Sequence, residues 1–342
     1  MKRPISVCML VILLAGPSIA LAQSTSRADL IEGAKKEGKL AIYSVLAVPD
    51  HTQVIEAFKQ KYPFIDVSLW RPSGAGEGVA TRVMTEAAAN TYLVDVIGID
   101  QPLMSHLIKR NLMMRYESPE RESFEPAFKD KQGHWTAFYL NPKVIPYNTK
   151  VVRAEDAPKT YSDLLDPKWK GRLVMEDTEG GWFGSLCLYW GEKKTVDYMR
   201  QLAKQNFTMR SGHTLITMLI AAGEYPGAVV SNGPRVELTK LRGAPLDWNP
   251  PDPTVVSITT IGAAARAPHP NSAKLYLDHV LSREIQEGYI EKKFVKPSAR
   301  KGVVSSFMEK VKRTGVKMIP LDVGSPEALN DFQKRYMEIF KH

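Results

Sequence analysis

Through the first third of the chain, short apolar runs alternate with amphipathic stretches. Residues 40–44 (LAIYS), 65–70 (IDVSLW) and 94–98 (VDVIG) have strand length and are rich in aliphatic and aromatic side chains. Each is followed by a helical pattern, over 51–61, 78–89 and 102–110, and a charged amphipathic helix over 27–38, closed by Gly38, precedes them all. Such alternation predicts a parallel sheet with helices on both faces. The pattern then changes: 135–146 (WTAFYLNPKVIP) is mostly extended, and Tyr147 opens a new segment. From Lys170 the alternation resumes, with strands at 173–175 and 227–230 and helices around 184–190, 195–205 and 215–222. A proline-rich break, PLDWNPPDP at 245–253, leads to an extended run over 254–261, and the remainder is mainly helical (271–281, 283–291 and 326–340). Two α/β units joined by two extended crossings predict two lobes with a cleft between them, the usual place for a ligand. Residues 23–146 with 255–342 are expected to form the first lobe and 147–254 the second, each a mostly parallel sheet flanked by helices.

The N-terminus changes the picture of where the protein works. Lys2 and Arg3 precede an apolar core at 7–16 (VCMLVILLAG), and Ala20-Leu21-Ala22 before Gln23 fits a small-x-small cleavage site. This reads as a secretory signal peptide over 1–22, too short to span a bilayer, and implies a periplasmic location. Cys8 lies inside the apolar core, so the mature chain keeps one cysteine, Cys187, and no intramolecular disulfide. About 320 mature residues suffice for two packed units without disulfide staples. The net charge of +9 would favour an anionic partner, but Lys and Arg are interspersed with acids and form no long run. A solvated mixed surface and a small anionic ligand both fit this pattern. A nucleic-acid partner does not.

Taken together, IYS, VIEAFKQKYP, VDVIGID, YNTKVV, LLDPKWKGRLVMED and LIAAGEYPGAVVSN, in that order, resemble a periplasmic solute-binding protein of an ABC importer. The ferric-iron-binding branch, a two-lobed type II fold, is the most similar, over nearly the whole mature chain. The resemblance implies a partner in an inner-membrane ABC permease, a monomeric protein and no catalytic chemistry. In iron-binding members, two adjacent tyrosines after the strand AVVSN hold the metal, often with a first-lobe histidine and carboxylate. Here Gly233 and Pro234 stand at the tyrosine positions, Ala47 at the histidine position and Asp100 at the carboxylate position. Glycine and proline carry no side-chain donor, so no metal or other cofactor is expected. His51, starting a helix, is expected to be solvated.

The same resemblance places a second-lobe anion pocket at Thr178, Ser211-Gly212 and Ser231-Asn232. Ser211-Gly212 directly precedes a helix, whose free N–H groups favour an anion; simple capping by Ser is the plainer alternative. In the first lobe, Ser44 ends the first strand. The loop from Arg71 through Ser73 and Gly74 to Gly78 follows the second, where Arg71 could fork an oxyanion. It is not a dinucleotide loop, because Val79 replaces the third glycine and the loop follows the wrong strand. Tyr139, Trp135 and Trp182 are candidate walls, with Gly180-Gly181 marking Trp182 as a cleft residue.

Enzyme signatures are missing: there is no GxSxG elbow, HExxH pair or GxxxxGK loop. Cys187, within SLCLYW, reads as a buried thiol. Glu176, Asp177 and Glu179 could gather round a hard cation but flank a strand end, where acids are usually loop surface. The expected function is capture of a phosphonate, organophosphate or carboxylate for uptake. Iron held by other ligands and an exported hydrolase are the alternatives.

Overall fold

The computed structural model describes residues 26–72 and 76–340. The proposed signal peptide therefore lies outside the described residues, as do Ser73 and Gly74. Among the described residues no helix is long and apolar enough to cross a membrane.

Three parallel strands, β1 (Lys39–Ser44), β2 (Asp66–Trp70) and β3 (Val96–Asp100), build the first lobe with α1 (Arg27–Glu37), α2 (Val48–Lys61), α3 (Gly76–Ala88) and α4 (Gln101–Lys109). The helix ends follow local chemistry. Ser26 and Asp29 form a reciprocal capping box at the start of α1, and Gly38, at φ 64°, turns the chain into β1. β4 (Thr136–Asn148) then carries the chain into the second lobe. That lobe holds β5 (Val174–Glu176), α5 (Gly180–Trp190), α6 (Glu192–Ala203), β6 (Thr208–Arg210), α7 (His213–Ala222), β7 (Ser231–Asn232), α8 (Gly233–Leu241) and β8 (Leu246–Asn249). β9 (Thr254–Ala263) returns, antiparallel to both β3 and β4, so the main sheet runs β2-β1-β3-β9-β4-β7. β4 and β9, paired antiparallel, are thus the two extended crossings.

Beyond β9, α9 (Pro270–Leu281) and α10 (Arg283–Ile285), which widens into a π-helix over Gln286–Lys293, pack on the first-lobe core through Tyr276, Leu281, Ile290 and Phe294. The next segments depart from the expected boundary. In α11 (Ser306–Arg313), Phe307 stacks on Trp248 with ring centroids 4.4 Å apart, inside the second-lobe core. β10 (Met318–Pro320) pairs with the start of β9, and α12 (Pro326–Phe340) lies on α5. Glycines make that last approach possible: a Cβ at Gly180 would stand 2.4 Å from Gln333 Cα, and one at Gly184 2.6 Å from the Phe332 ring. Gly180-Gly181 therefore serves helix packing rather than opening a cleft around Trp182.

Candidate functional site

The two crossing strands share one polar and one apolar face. Alternation puts Leu140, Val256 and Ile258 on one side and Tyr139, Asn141, Ser257 and Thr259 on the other. An irregularity between Ala137 and Tyr139 shifts the register so that Tyr139, not Phe138, faces Thr259. Thr259 Oγ1 donates to Asp100 Oδ1 at 3.0 Å and accepts from Asn141 Nδ2 at 3.3 Å. Burial pushes the Asp100 carboxyl above its ordinary range, against the pull of the Thr259 hydrogen bond. Burial likewise raises the Tyr139 phenol, so it stays protonated and available as a donor.

Two residues further along β4, Lys143 joins this floor to a buried charge network. Its Nζ lies 2.5 Å from Glu179 Oε1 and 3.1 Å from His213 Nε2. Glu176, ending β5, faces the other ring nitrogen: Oε2 is 3.5 Å from His213 Nδ1, and Ser231 Oγ is 3.3 Å from it. His213 Nε2 also lies 3.2 Å from Glu179 Oε1, so each ring nitrogen faces a buried carboxylate. Burial works against ionising Glu179, but Lys143 and then His213 outweigh it and hold its carboxyl at about 2. Burial raises Glu176 instead. Glu176 also accepts the Gly212 N–H at 2.9 Å and the Thr178 hydroxyl at 3.1 Å. The N-terminus of α7 is therefore already bonded to the protein's own carboxylate. Glu176 and Glu179 are 1% and 2% exposed, not the surface acids expected.

The remaining candidates divide. Ser231 is buried, and Asn232 pairs with Lys143 across the β4–β7 ladder, so both adjoin the network. Thr178, Ser211 and Gly212 are exposed at its rim. Ser44 is buried, and its Oγ accepts the Leu46 N–H at 3.2 Å. Arg71 is exposed and folds onto the carbonyls of Val45 and Pro72 at 3.3 and 3.1 Å. Trp182 lies away from the cleft: its ring is fully buried in the second-lobe core, and its Nε1 donates to the Tyr161 hydroxyl at 3.1 Å. Trp135 packs in the first-lobe core. His51 is not solvated but fully buried, hydrogen-bonded to the Tyr276 hydroxyl at 2.8 Å and pushed down to about 4 by burial. Cys187 is buried, which raises its thiol to about 11 and leaves it inert.

Position 233 decides what chemistry the α8 tip can offer. A Cβ there would meet Phe307 Cζ at 2.3 Å and the Pro142 carbonyl oxygen at 2.9 Å, so no side chain fits without displacing strand or ring. Among the described residues, no group of three or more His, Cys, Asp or Glu is placed to hold a metal ion.

Two α/β lobes strung on paired crossing strands, with a polar floor between them, define a two-lobed periplasmic binding protein. The chain belongs to the bacterial extracellular solute-binding proteins, whose family model matches residues 92–317. It is 23% identical over 292 residues to the Fe(3+)-binding periplasmic protein of Serratia marcescens, covering 80% of this chain and 82% of that one. Its fold is similar to iron-bound HitA from Pseudomonas aeruginosa (TM-score 0.76, 19% identity, 87% of this chain and 99% of that one). It is also similar to AfuA from Actinobacillus pleuropneumoniae with exogenous fructose-6-phosphate bound (TM-score 0.75, 24% identity, 89% of this chain and 98% of that one).

Proposed function

We infer that this protein is the periplasmic substrate-binding component of an ABC importer. It captures a small anionic solute of the phosphonate, organophosphate or carboxylate class between its lobes and presents it to an inner-membrane permease. It works by binding and closure, without turnover and without a metal cofactor. The supporting observation is a set of cations without salt-bridge partners, which lie near the carboxylates Asp50, Glu77 and Asp100 but pair with none of them. Arg71, Arg235 and Lys296 make no ion pair among the described residues, while the tyrosine positions of the iron-binding branch hold Gly233, with no room for a side chain, and Pro234. Hard ferric iron calls for several anionic oxygen donors, and unpaired cations repel it. An oxyanion supplies what those cations lack.

The iron reading has support of a different kind, since the Serratia relative and HitA are described as iron-binding. A thermal-shift screen separates the two, because a ligand specific to the folded state raises the melting temperature. Phosphonates, sugar phosphates and small carboxylates are tested alongside Fe(III) with and without carbonate. Stabilisation by at least one anion without iron is expected. Stabilisation confined to Fe(III) samples would overturn the anionic-solute reading.

A further inference from the structure

Two backbone irregularities stand side by side just before Lys296. The π-helix Gln286–Lys293 is one, and Val295 at φ 54° is the other, a β-branched residue in the left-handed region and only 7% exposed. Both features are unfavourable and persist where surrounding structure enforces them, commonly at functional sites. Their consequence is positional. Pro297 O accepts the Leu140 N–H at 2.8 Å, and the Lys296 ammonium sits 4.8 Å from the centroid of the Tyr139 ring, at the cleft floor.

The same edge of β4 receives the second lobe three residues on, where Asn232 pairs with Lys143 and α8 begins, with Arg235 in its first turn. Leu140 and Lys143 are about 10 Å apart along the strand. Lys296 follows Phe294, which is anchored in the first-lobe core, whereas Arg235 precedes Val236, which is anchored in the second. The two cations therefore approach the gap from opposite lobes, and neither is ion-paired among the described residues. Burial pulls the Lys296 ammonium down to about 8. Asp50 of α2 holds it up, and Arg235 lowers it further.

We propose that Lys296 and Arg235 form an oxyanion subsite for the phosphate or phosphonate group of the solute, and that their like charge holds the lobes apart until that group bridges them. The proposal rests on the anionic-solute reading and names the class of anion. A phosphate monoester carries a charge of about −1.5 to −2 at neutral pH and three acceptor oxygens, which matches an ammonium and a guanidinium together. A monocarboxylate neutralises only one of them. Bridging also provides what closure requires, a ligand that binds the closed form better than the open one.

The test is titration calorimetry with methylphosphonate, fructose 6-phosphate, inorganic phosphate and acetate on the full mature chain and on Lys296→Met, Lys296→Arg and Arg235→Gln. At least one phosphate-type probe is expected to bind the wild type, and Lys296→Met and Arg235→Gln should each weaken it about 10–150-fold without loss of folding. Above pH 8, where the phosphate charge no longer changes, wild-type affinity should fall by up to about tenfold per pH unit. Lys296→Arg, which keeps its charge, should stay flat. Without ligand, Lys296→Met should scatter X-rays as a more compact particle than the wild type at low salt. Phosphate-type binding unchanged in both charge-removing variants, or a wild-type affinity flat above pH 8, overturns the subsite. Binding of acetate but of no phosphate-type probe overturns the phosphate class while sparing the anionic-solute reading. Binding of no anion at all overturns both.

Discussion

Lys143 and Glu179 are 5% and 2% exposed and form a direct ion pair. Removing one partner of a buried pair leaves the other desolvated and uncompensated, at a cost of about 3–5 kcal/mol. Glu179→Ala should therefore lose stability on that scale in urea denaturation at pH 7, and a loss below 1 kcal/mol would mean the network is solvated. The buried histidines set a second expectation. His51 and His279 are both pushed from 6.5 down to about 4 by burial. Between those values the unfolded chain takes up protons that the fold refuses, so stability should fall as pH drops from about 6.5 toward 4, by roughly 3 kcal/mol for each histidine. Denaturation midpoints across that range test this, with His51→Gln expected to show a shallower slope. At this scale the sequence was partly legible. The alternation of Tyr139, Asn141 and Lys143 is visible in the chain. The burial of Glu176 is not, because it depends on Tyr336, 160 residues away, donating to the Glu176 carbonyl.

At the scale of elements, the long periodic segments were readable and the short ones were not. The helices α1, α2, α9 and α12 lie within a few residues of their expected positions. β6 and β10, at three residues each, are too short to show a period, and β8 sits inside the proline-rich break, where only Leu246 and Trp248 point inward. In α11, Phe307 and Val311 stand at helical spacing, but only the fold shows that they face the second lobe. This contact makes Gly233 testable. Gly233→Ala should destabilise the protein by about 1–3 kcal/mol through overpacking against Phe307 and the Pro142 carbonyl. A melting temperature equal to the wild type would show that the α8 tip has room for a side chain.

For the molecule as a whole, the ordered set of strand and helix motifs was enough to indicate a two-lobed binding protein. The return of α11 and α12 to the second lobe was hidden, because it depends on glycine-to-helix contacts between distant segments. The proximity of Arg235 and Lys296 was hidden for the same reason: they are far apart in the chain, and only the fold brings Arg235 near enough to act on Lys296. The most direct measurement is small-angle X-ray scattering of the mature protein, titrated in parallel with phosphonates and sugar phosphates and with Fe(III) plus carbonate. Compaction that saturates at one anion per protein, with no iron present, is the predicted result. Compaction only with Fe(III), accompanied by a coloured one-to-one complex, would contradict it.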